Sequence, residues 1–201
     1  MGSVVISGAT SGAVTLAVPA EAGTRTLSLP AETGTVLTNS TTGCVLQVVT
    51  ANFTGTQTIA AAASNVFNFV DITSLSVAIT PKTTSSKILL MAQVNIGCNT
   101  ADRMAALRFT GGNADDFVGD TASNRQRVAG ILTSPSGAGV VANMMSITYL
   151  DSPATTSAVT YKVQGAPNYG SGTVSINYKG TDNDAAYYPR GACSLTAMEI
   201  A

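Results

Sequence analysis

Histidine is absent from all 201 residues of this chain, and tryptophan is absent as well. Without an imidazole, neither a Ser–His–Asp nor a Cys–His nucleophile can form, and zinc cannot have histidine ligands. The chain also lacks three common functional motifs. They are the phosphate-binding loop G-x-x-x-x-G-K-[ST], the dinucleotide-binding pattern G-x-G-x-x-G and the nucleophile pattern G-x-S-x-G. We therefore expect a protein that is not an enzyme and carries no cofactor.

Charge is also scarce, because only 10% of the residues are charged and the formal net charge is −1. Nucleic-acid binding depends on clustered Lys and Arg side chains that release counterions, so we expect no nucleic-acid partner. The longest apolar runs, such as residues 88–92, are far shorter than the roughly 20 residues that a membrane helix needs. Residues 1–20 do not have the pattern of a signal peptide. We expect a soluble protein that is made in a cytosol and has no membrane partner.

Cysteine is rare, with three widely spaced residues, Cys44, Cys98 and Cys193. A disulfide framework would normally be denser and even in number. We expect buried free thiols that pack as small hydrophobic groups.

A tandem repeat occupies the N-terminal part of the chain. The pattern T-L-x-[VL]-P-A-E-x-G-T occurs at residues 15–24 and again at 26–35, with a period of eleven. Each copy has a short alternating strand that ends at proline, which cannot donate to a β-ladder, and then a turn with glycine. A plain β-meander would fit, but two small strands cannot bury a core by themselves, which favours an anchor or stalk. The expected attachment residues are the apolar residues and prolines of the two copies: Leu16, Val18, Pro19, Leu27, Leu29 and Pro30.

The polar, turn-rich segment 39–43 marks the expected boundary between residues 1–43, the repeat anchor, and residues 44–201, a larger head. In the head, apolar and polar residues alternate with the period of two that is typical of half-buried strands. The expected strands cover residues 44–53, 65–72, 75–80, 88–96, 104–110, 126–133, 140–150, 159–164, 174–179 and 193–200. About ten strands separated by turns, with no helical period, favour an all-β fold, an antiparallel β-sandwich or jelly roll.

Two of the expected strands are apolar on both faces. In the first strand, Leu89 and Met91 lie on the opposite face from Ile88. In the second, Met145, Ile147 and Tyr149 lie on the opposite face from Met144 and Leu150. An antiparallel sandwich normally keeps one face of each sheet polar. A second apolar face with little charge around it favours an oligomer, although a thick core covered by long loops would also explain the pattern.

The aspartates offer carboxylate chemistry that needs no histidine, since a glycosidase requires only two suitably spaced acids. The candidates are Asp102, Asp115, Asp116, Asp120, Asp182 and Asp184. Residues 113–120 form the densest cluster, which is typical of a solvated loop with Asx turns. A calcium site is a weaker interpretation for Asp115, Asp116 and Asp120, because the EF-hand spacing is not met. A catalytic pair, in a polysaccharide-degrading enzyme, is the least favoured interpretation.

Tyrosines in turn-like segments are the candidates for ligand binding. Flat aromatic faces commonly stack on sugars, and Tyr169, Tyr187 and Tyr188 lie in such segments, with Arg190 close behind. Rings packed down to anchor their loops are the simpler alternative.

Four sequence blocks carry a resemblance to a known family. They are SGATSGAVTLAVPAEAGTRTLSLPAETGTVLT at residues 7–38, LSVAITPKTTSSKIL at 75–89, LDSPAT at 150–155 with TYKVQ at 160–164, and LTAMEI at 195–200. Each block is low in complexity, but their order resembles that in structural proteins of tailed bacteriophages, notably aquatic ones.

The resemblance implies a homotrimeric virion appendage without catalytic residues, made in the host bacterial cytoplasm and displayed on the virion surface. In such proteins the N-terminal repeat attaches to the particle, here most readily to the major capsid protein, and the β-sandwich head points outward. A tail fibre usually has a long shaft and its own adaptor, so 201 residues favour a capsid decoration protein or head fibre. The alternative is a receptor-binding tail-fibre tip that recognises host surface polysaccharide.

Overall fold

The computed structural model describes residues 3–7, 11, 13–17, 43–62, 67–100, 103–134, 141–168, 172–180 and 182–201. The chain divides into two compact units, Met1–Val36 and Leu37–Ala201. The sequence-based boundary after residue 43 lies a few residues further along the chain. That the first unit is an anchor and the second a head remains a prediction.

The first unit contains a two-stranded antiparallel ladder formed by β1 (Ser3–Ser7) and β2 (Ala13–Ala17). Strand β2 coincides with the beginning of the first repeat copy, and it places Leu16 opposite Val4. Strand β1 was not expected from the repeat pattern. The other attachment residues lie outside the described residues: Val18, Pro19, Leu27, Leu29 and Pro30.

The second unit is built from strands. They are β3 (Val45–Phe53), β4 (Gln57–Ala60), β5 (Val70–Ile79), β6 (Lys87–Cys98), β7 (Met104–Thr110), β8 (Gly130–Thr133), β9 (Val141–Asp151), β10 (Val159–Pro167), β11 (Thr173–Ile176) and β12 (Cys193–Ile200). The only helical segment in the described part of the chain is one turn of 3-10 helix, Ala114–Asp116. No described helix is long and apolar enough to cross a membrane.

These strands form a long antiparallel ribbon folded back on itself. From its open end to its closed end, the pairs are β3 with β12, β4 with β11, β5 with β10, β6 with β9 and β7 with β8. In such a ribbon, partners at the open end are far apart in sequence and partners at the closed end are near. A ribbon of this kind wound into two sheets is a jelly roll.

The winding distributes the ribbon between two sheets. The smaller sheet has the order β5-β10-β7-β8. In the larger sheet, four strands have the order β3-β12-β6-β9. Strand β6 extends beyond the end of β12, and there it pairs with β11, which in turn pairs with β4. The all-β sandwich expected from the alternating pattern is confirmed.

The hydrophobic core lies between the two sheets. The larger sheet contributes Leu90, Val94 and Ile96 of β6, and the smaller sheet contributes Phe109 of β7 and Val163 of β10, all of them fully buried. Removing each such side chain from water stabilises the fold by roughly 1.5–3 kcal/mol. Alternation along β6 therefore directs every second side chain into the core.

Several strand boundaries differ from the sequence-based ones. The expected strands 65–72 and 75–80 are one strand, β5, which passes through Ser74 at a positive φ of 61° where its pairing with β10 shifts register. The expected strand 126–133 begins only at Gly130. Strand 174–179 ends at Ile176, because Asn177 adopts φ 66°. Strand β4 was not predicted, since its four residues are too few to show a period.

None of the three cysteines is in a disulfide bond, and Cys98 and Cys193 are buried while Cys44 is partly buried. Burial raises the pKa of the Cys193 thiol to about 11, although a hydrogen bond from the backbone N–H of Asn95 partly opposes this shift. The thiol therefore stays protonated at neutral pH and donates to the side-chain oxygen of Asn177 at 2.9 Å. The prediction that the cysteines form no disulfide is confirmed, and the predicted burial holds for Cys98 and Cys193 but not for Cys44.

Candidate functional site

Glu199 is a carboxylate inside the sandwich that the sequence-based search for acids did not identify. Its side chain is fully buried on the inner face of β12. It accepts hydrogen bonds from Ser86 Oγ at 2.7 Å, the backbone N–H of Lys82 at 2.5 Å and Gln47 Nε2 at 2.5 Å. Burial alone would raise the pKa of Glu199, but these bonds outweigh it and lower the pKa. The carboxylate holds the loop between β5 and β6.

A signal for Glu199 was present in the alternation of β12. Cys193, Leu195 and Ala197 all point into the core, and Glu199 continues that period of two. An acid at an inward position of an apolar strand must have hydrogen-bond donors around it, because an unpaired buried charge is strongly destabilising. Glu199 is therefore a structural residue, and it has no free oxygen to offer a substrate.

Asp151 is the second buried carboxylate. Its Oδ2 accepts the Tyr161 hydroxyl at 2.5 Å and the backbone N–H of Asn113 at 3.3 Å, and its Oδ1 accepts the N–H of Ser152 at 2.7 Å. Burial, followed by the hydrogen bond to Asp151, raises the pKa of Tyr161, so the phenol keeps its proton. This pair, too, is used to hold strands and loops together.

The aspartates considered for metal binding do not form a ligand set. Asp115 and Asp116 lie in the 3-10 turn with exposed side chains, and Asp120 is exposed in the loop that follows. The backbone N–H of Gly111 lies 3.5 Å from Asp115 Oδ2, which fits the expected solvated turn. Within the described ranges, no group of three or more Cys, Asp or Glu side chains could hold a metal ion.

The loop 182–191, between β11 and β12, brings together three of the four predicted ligand-facing residues. Arg190 donates to both carboxylate oxygens of Asp182, at 3.1 and 2.7 Å. The rings of Tyr187 and Tyr188 lie 4.6 Å apart between centroids, and Tyr187 is 76% exposed. Tyr169, the fourth residue, lies outside the described residues.

The same loop encloses a polar depression of about 380 Å³. It is lined by Asp182, Asn183, Asp184, Ala185, Tyr188 and Arg190. Hydrogen-bonding groups beside an exposed aromatic ring are what a sugar ring requires, because it has polar edges and apolar faces. The loop therefore offers the kinds of groups that a saccharide contact requires.

The outer face of the smaller sheet is solvated by a chain of polar contacts. Lys162 Nζ and Gln164 Nε2 each donate to Asp71 at 2.7 Å, and Arg108 Nε donates to Gln164 Oε1 at 2.8 Å. Arg108 also lies over the ring of Phe69, 4.2 Å from its centroid. The Lys162 and Gln164 donors lower the pKa of Asp71. We call this group of side chains the polar ladder.

The outer face of the larger sheet has a different character. The register places Val48, Met198, Leu89 and Leu150 side by side on the neighbouring strands β3, β12, β6 and β9. Val48 is 53% exposed and Leu150 is 50% exposed. We call these four residues the outer apolar row. Neighbouring strands are about 4.8 Å apart, so their side chains form a continuous apolar strip.

The rows beside the outer apolar row are mostly uncharged polar residues. They contain Thr50, Thr196, Met91 and Thr148, and then Asn52, Ser194, Gln93 and Ser146. Among the outward-facing residues of these four strands, Lys87 alone is charged, and its Nζ donates to Ser152 Oγ at 2.8 Å. The face therefore lacks the polar ladder's network of charges.

The strands that are apolar on both faces were interpreted either as part of an oligomer contact or as part of a thick core covered by loops, and each interpretation describes part of the structure. In β9, Met145, Ile147 and Tyr149 pack against the core, and loop residue Phe117 stacks on Tyr149 with centroids 5.0 Å apart. That part matches a core covered by a loop. Leu89 and Leu150 instead belong to the outer face, where the described residues leave Leu150 half exposed.

The fold defines the class of protein, an all-β jelly-roll sandwich. No protein-family model and no curated protein matches the chain. Among solved structures it is similar to a chain of infectious bursal disease virus, Gx strain, with 14% identity and a TM-score of 0.40 over 97% of this chain and 46% of that one. It is also similar to the VP2 subviral particle of infectious bursal disease virus, with 13% identity and a TM-score of 0.40 over 94% of this chain and 44% of that one. The chain thus spans less than half the length of these neighbours, and similarity at this level carries no argument about function.

Proposed function

We propose that this chain is a non-enzymatic structural protein of a bacteriophage virion. In this proposal it is a homotrimeric capsid decoration or head-fibre protein that attaches through residues 1–43, with the major capsid protein as its partner, and exposes its jelly-roll head on the virion surface. It requires no cofactor, nucleic acid or membrane for this role.

The observation that carries the proposal is where the phage-like sequence blocks lie in the fold. Block 75–89 supplies Ser86 and Lys82, and block 195–200 supplies Glu199. These two blocks are more than a hundred residues apart, yet Ser86 and Lys82 donate directly to the Glu199 carboxylate. The resemblance therefore involves residues that hold the fold together rather than residues on a variable surface.

A third block shows the same behaviour. Blocks 150–155 and 160–164 supply Asp151 and Tyr161, whose buried hydrogen bond joins the end of β9 to β10. Residues that determine a fold support a common architecture with the virion proteins that the sequence resembles. Jelly rolls are also the architecture of many viral capsid domains and lectins, although fold alone does not determine function.

The test of the proposal is the position of this chain in an intact particle. Purified virions of the phage that encodes it should be labelled with an antibody against the second unit and imaged by electron microscopy. We expect label distributed over the capsid. Label confined to the tail tip would instead support the receptor-binding alternative, and unlabelled particles would contradict both.

The receptor-binding alternative has a specific observation in its favour, the loop 182–191. It exposes Tyr187 beside an Arg190 side chain that Asp182 holds in a fixed position. The test is adsorption to host cells and to a glycan array, comparing the wild type with Tyr187→Ala. The matched control is Ile131→Ala, which removes an apolar side chain of 56% exposure from the smaller sheet. Loss of binding in Tyr187→Ala, with binding kept in Ile131→Ala, supports a saccharide-binding role for this loop. An array on which the wild type gives no signal contradicts the receptor-binding alternative.

A further inference from the structure

We infer that the outer apolar row is the surface on which a second copy of this chain docks, sheet face against sheet face. The four residues come from positions 48, 89, 150 and 198, so no local segment of sequence shows that they are adjacent. The inference goes beyond the proposed homotrimer and does not rest on it: a contact between two identical faces joins chains in pairs, whereas a closed trimer is built from two different patches on each chain.

The smaller sheet provides an internal comparison. Its outer face has the same kind of extended surface, and the polar ladder of Asp71, Lys162, Gln164 and Arg108 covers the part formed by β5, β10 and β7, while Ile131 of the edge strand β8 is exposed. That is how this chain prepares a sheet face for water. The larger sheet places Val48, Met198, Leu89 and Leu150 side by side near one end of its strands, so this part of its face is suited to contact with protein.

Charge favours a second copy over an unrelated partner. Two identical faces repel each other when they are charged, because every charge meets its own sign or needs a partner elsewhere on the face. Only Lys87 is charged among the outward-facing residues of these four described strands, and it lies at the end of β6, bonded to Ser152. The outer apolar row itself therefore brings no charge to bury, and Lys87, the next outward-facing residue beside Leu89, is bonded within its own chain.

The area of the face is also adequate. Four strands span about 19 Å, and the eight residues of β12 span about 27 Å, so one face covers about 500 Å² in projection. Two copies would together bury about 1,000 Å², which reaches the lower limit for a specific protein interface. Two sheets can pack in this way at a separation of about 10 Å.

Cross-linking of the full chain tests the inference directly. The variant Val48→Cys/Leu150→Cys is prepared with Cys44→Ser, so that the remaining native thiols are the buried Cys98 and Cys193. A short bismaleimide cannot join positions 48 and 150 within one chain, because three strand spacings separate them by about 14 Å. When two copies face each other with their strands aligned and their outer apolar rows superposed, position 48 of one copy lies opposite position 48 or 150 of the other. We expect a covalent dimer on a denaturing gel.

The matched control is Ile131→Cys with the same Cys44→Ser change. Ile131 is 56% exposed, like Val48 and Leu150, but it lies in β8 of the smaller sheet. We expect the dimer yield of the double variant to exceed that of the control by about tenfold or more, a preference of roughly 1.4 kcal/mol. Equal yields would overturn the inference, whether or not the protein is found on virions.

A second variant tests the apolar character of the contact. Adding Leu89→Asp to the double-cysteine chain places a carboxylate inside the outer apolar row of both copies, between Met198 and Leu150, where the two charges repel. Circular dichroism melting confirms that the chain remains folded, and the dimer yield should fall to the level of the Ile131→Cys control. Adding Ile131→Asp instead should leave the yield unchanged. A yield that survives Leu89→Asp in a folded chain contradicts docking through the outer apolar row.

Discussion

Glu199 shows at the residue scale how this chain tolerates a charge in its core. Three donors, Ser86 Oγ, the Lys82 N–H and Gln47 Nε2, surround the carboxylate, and Gln47 Nε2 also lies 2.7 Å from the carbonyl oxygen of Thr80. Hydrogen bonds to a charged group contribute about 1.5–3 kcal/mol each, more than those between neutral groups. The carboxylate therefore connects the last strand, the first strand of the second unit and the loop between β5 and β6.

Stability should depend on pH through Glu199. Its pKa in the folded chain is lowered from the ordinary value of 4.5, so its stabilisation is fully present above that value and is lost as pH falls through the lower, folded-state pKa. At pH 7, Glu199→Gln should reduce the free energy of unfolding by about 1–3 kcal/mol. The difference between the two proteins should shrink in urea titrations towards pH 3.

The control for this prediction is Asp115→Asn, which neutralises an exposed acid in the 3-10 turn. Its stability should lie close to that of the wild type at pH 7. A Glu199→Gln protein as stable as the wild type at pH 7 would show that the buried hydrogen bonds do not depend on the charge.

Gly111 and Gly119 form a matched pair for testing backbone requirements. Gly111 has φ 104°, and a Cβ there would overlap the carbonyl oxygen of Thr160. A Cβ at Gly119 would have no heavy atom within 4 Å, and the backbone there does not adopt a positive φ. Gly111→Ala should lower the free energy of unfolding by about 2 kcal/mol or more, and Gly119→Ala by less than about 0.5 kcal/mol. Chemical denaturation of the two variants checks this, and equal losses would contradict it.

At the scale of elements, Asn177 determines where β11 ends. Its φ of 66° turns the chain out of the strand, and its Nδ2 donates to the carbonyl oxygens of Phe53 and Gly55 at 2.8 Å each. The Cys193 thiol donates to its Oδ1. One fully buried side chain thus joins the end of β11 to the end of β3, the segment after it and the start of β12.

Asn177→Gly should isolate the contribution of this side chain, because glycine keeps access to the positive φ while the amide is lost. Two carbonyl groups and one buried thiol then lose their partners, so we expect a loss of about 2–4 kcal/mol in the free energy of unfolding. Asn183→Gly, in the exposed part of loop 182–191, is the control and should change stability little. Thermal melting of both variants provides the measurement.

The strands themselves were largely predictable, because alternation is a local property. Strand β12 alternates in burial along its whole length, β6 alternates from Lys87 to Ile96, and both lie close to where the sequence places them. The interruptions were not predictable. Ser74 and Asn177 adopt left-handed φ values, and Asn177 is held there by backbone groups distant in sequence. A local pattern contains no information about such partners.

At the scale of the whole molecule, the two compact units predict a separable N-terminal segment. Deletion of residues 1–38 should leave the jelly roll folded, since its described strands begin at Val45 and pair with one another. The melting temperature of the shortened chain should match that of the full chain, and co-sedimentation with virus particles should be lost. A shortened chain that unfolds, or one that still binds particles, contradicts the assignment of residues 1–43 as an anchor.

The candidate site was only partly predictable. Tyr187, Tyr188 and Arg190 are neighbours in sequence, so their clustering in loop 182–191 followed from proximity along the chain. Asp182 as the partner of Arg190 required the loop's conformation. The outer apolar row depends on four separate strands, and only the register between them makes its residues adjacent.

The amino-acid sequence by itself determined that the chain is all-β, that its cysteines form no disulfide framework and that imidazole chemistry is excluded, because composition and a period of two can be read without knowing the tertiary structure. The tertiary structure decided which strands pair, where Glu199 and Asp151 find their donors, and which sheet face remains apolar. Pairing at the open end of the ribbon joins residues such as Val48 and Met198. Such contacts are selected by the burial of the complete core, which no single segment can specify.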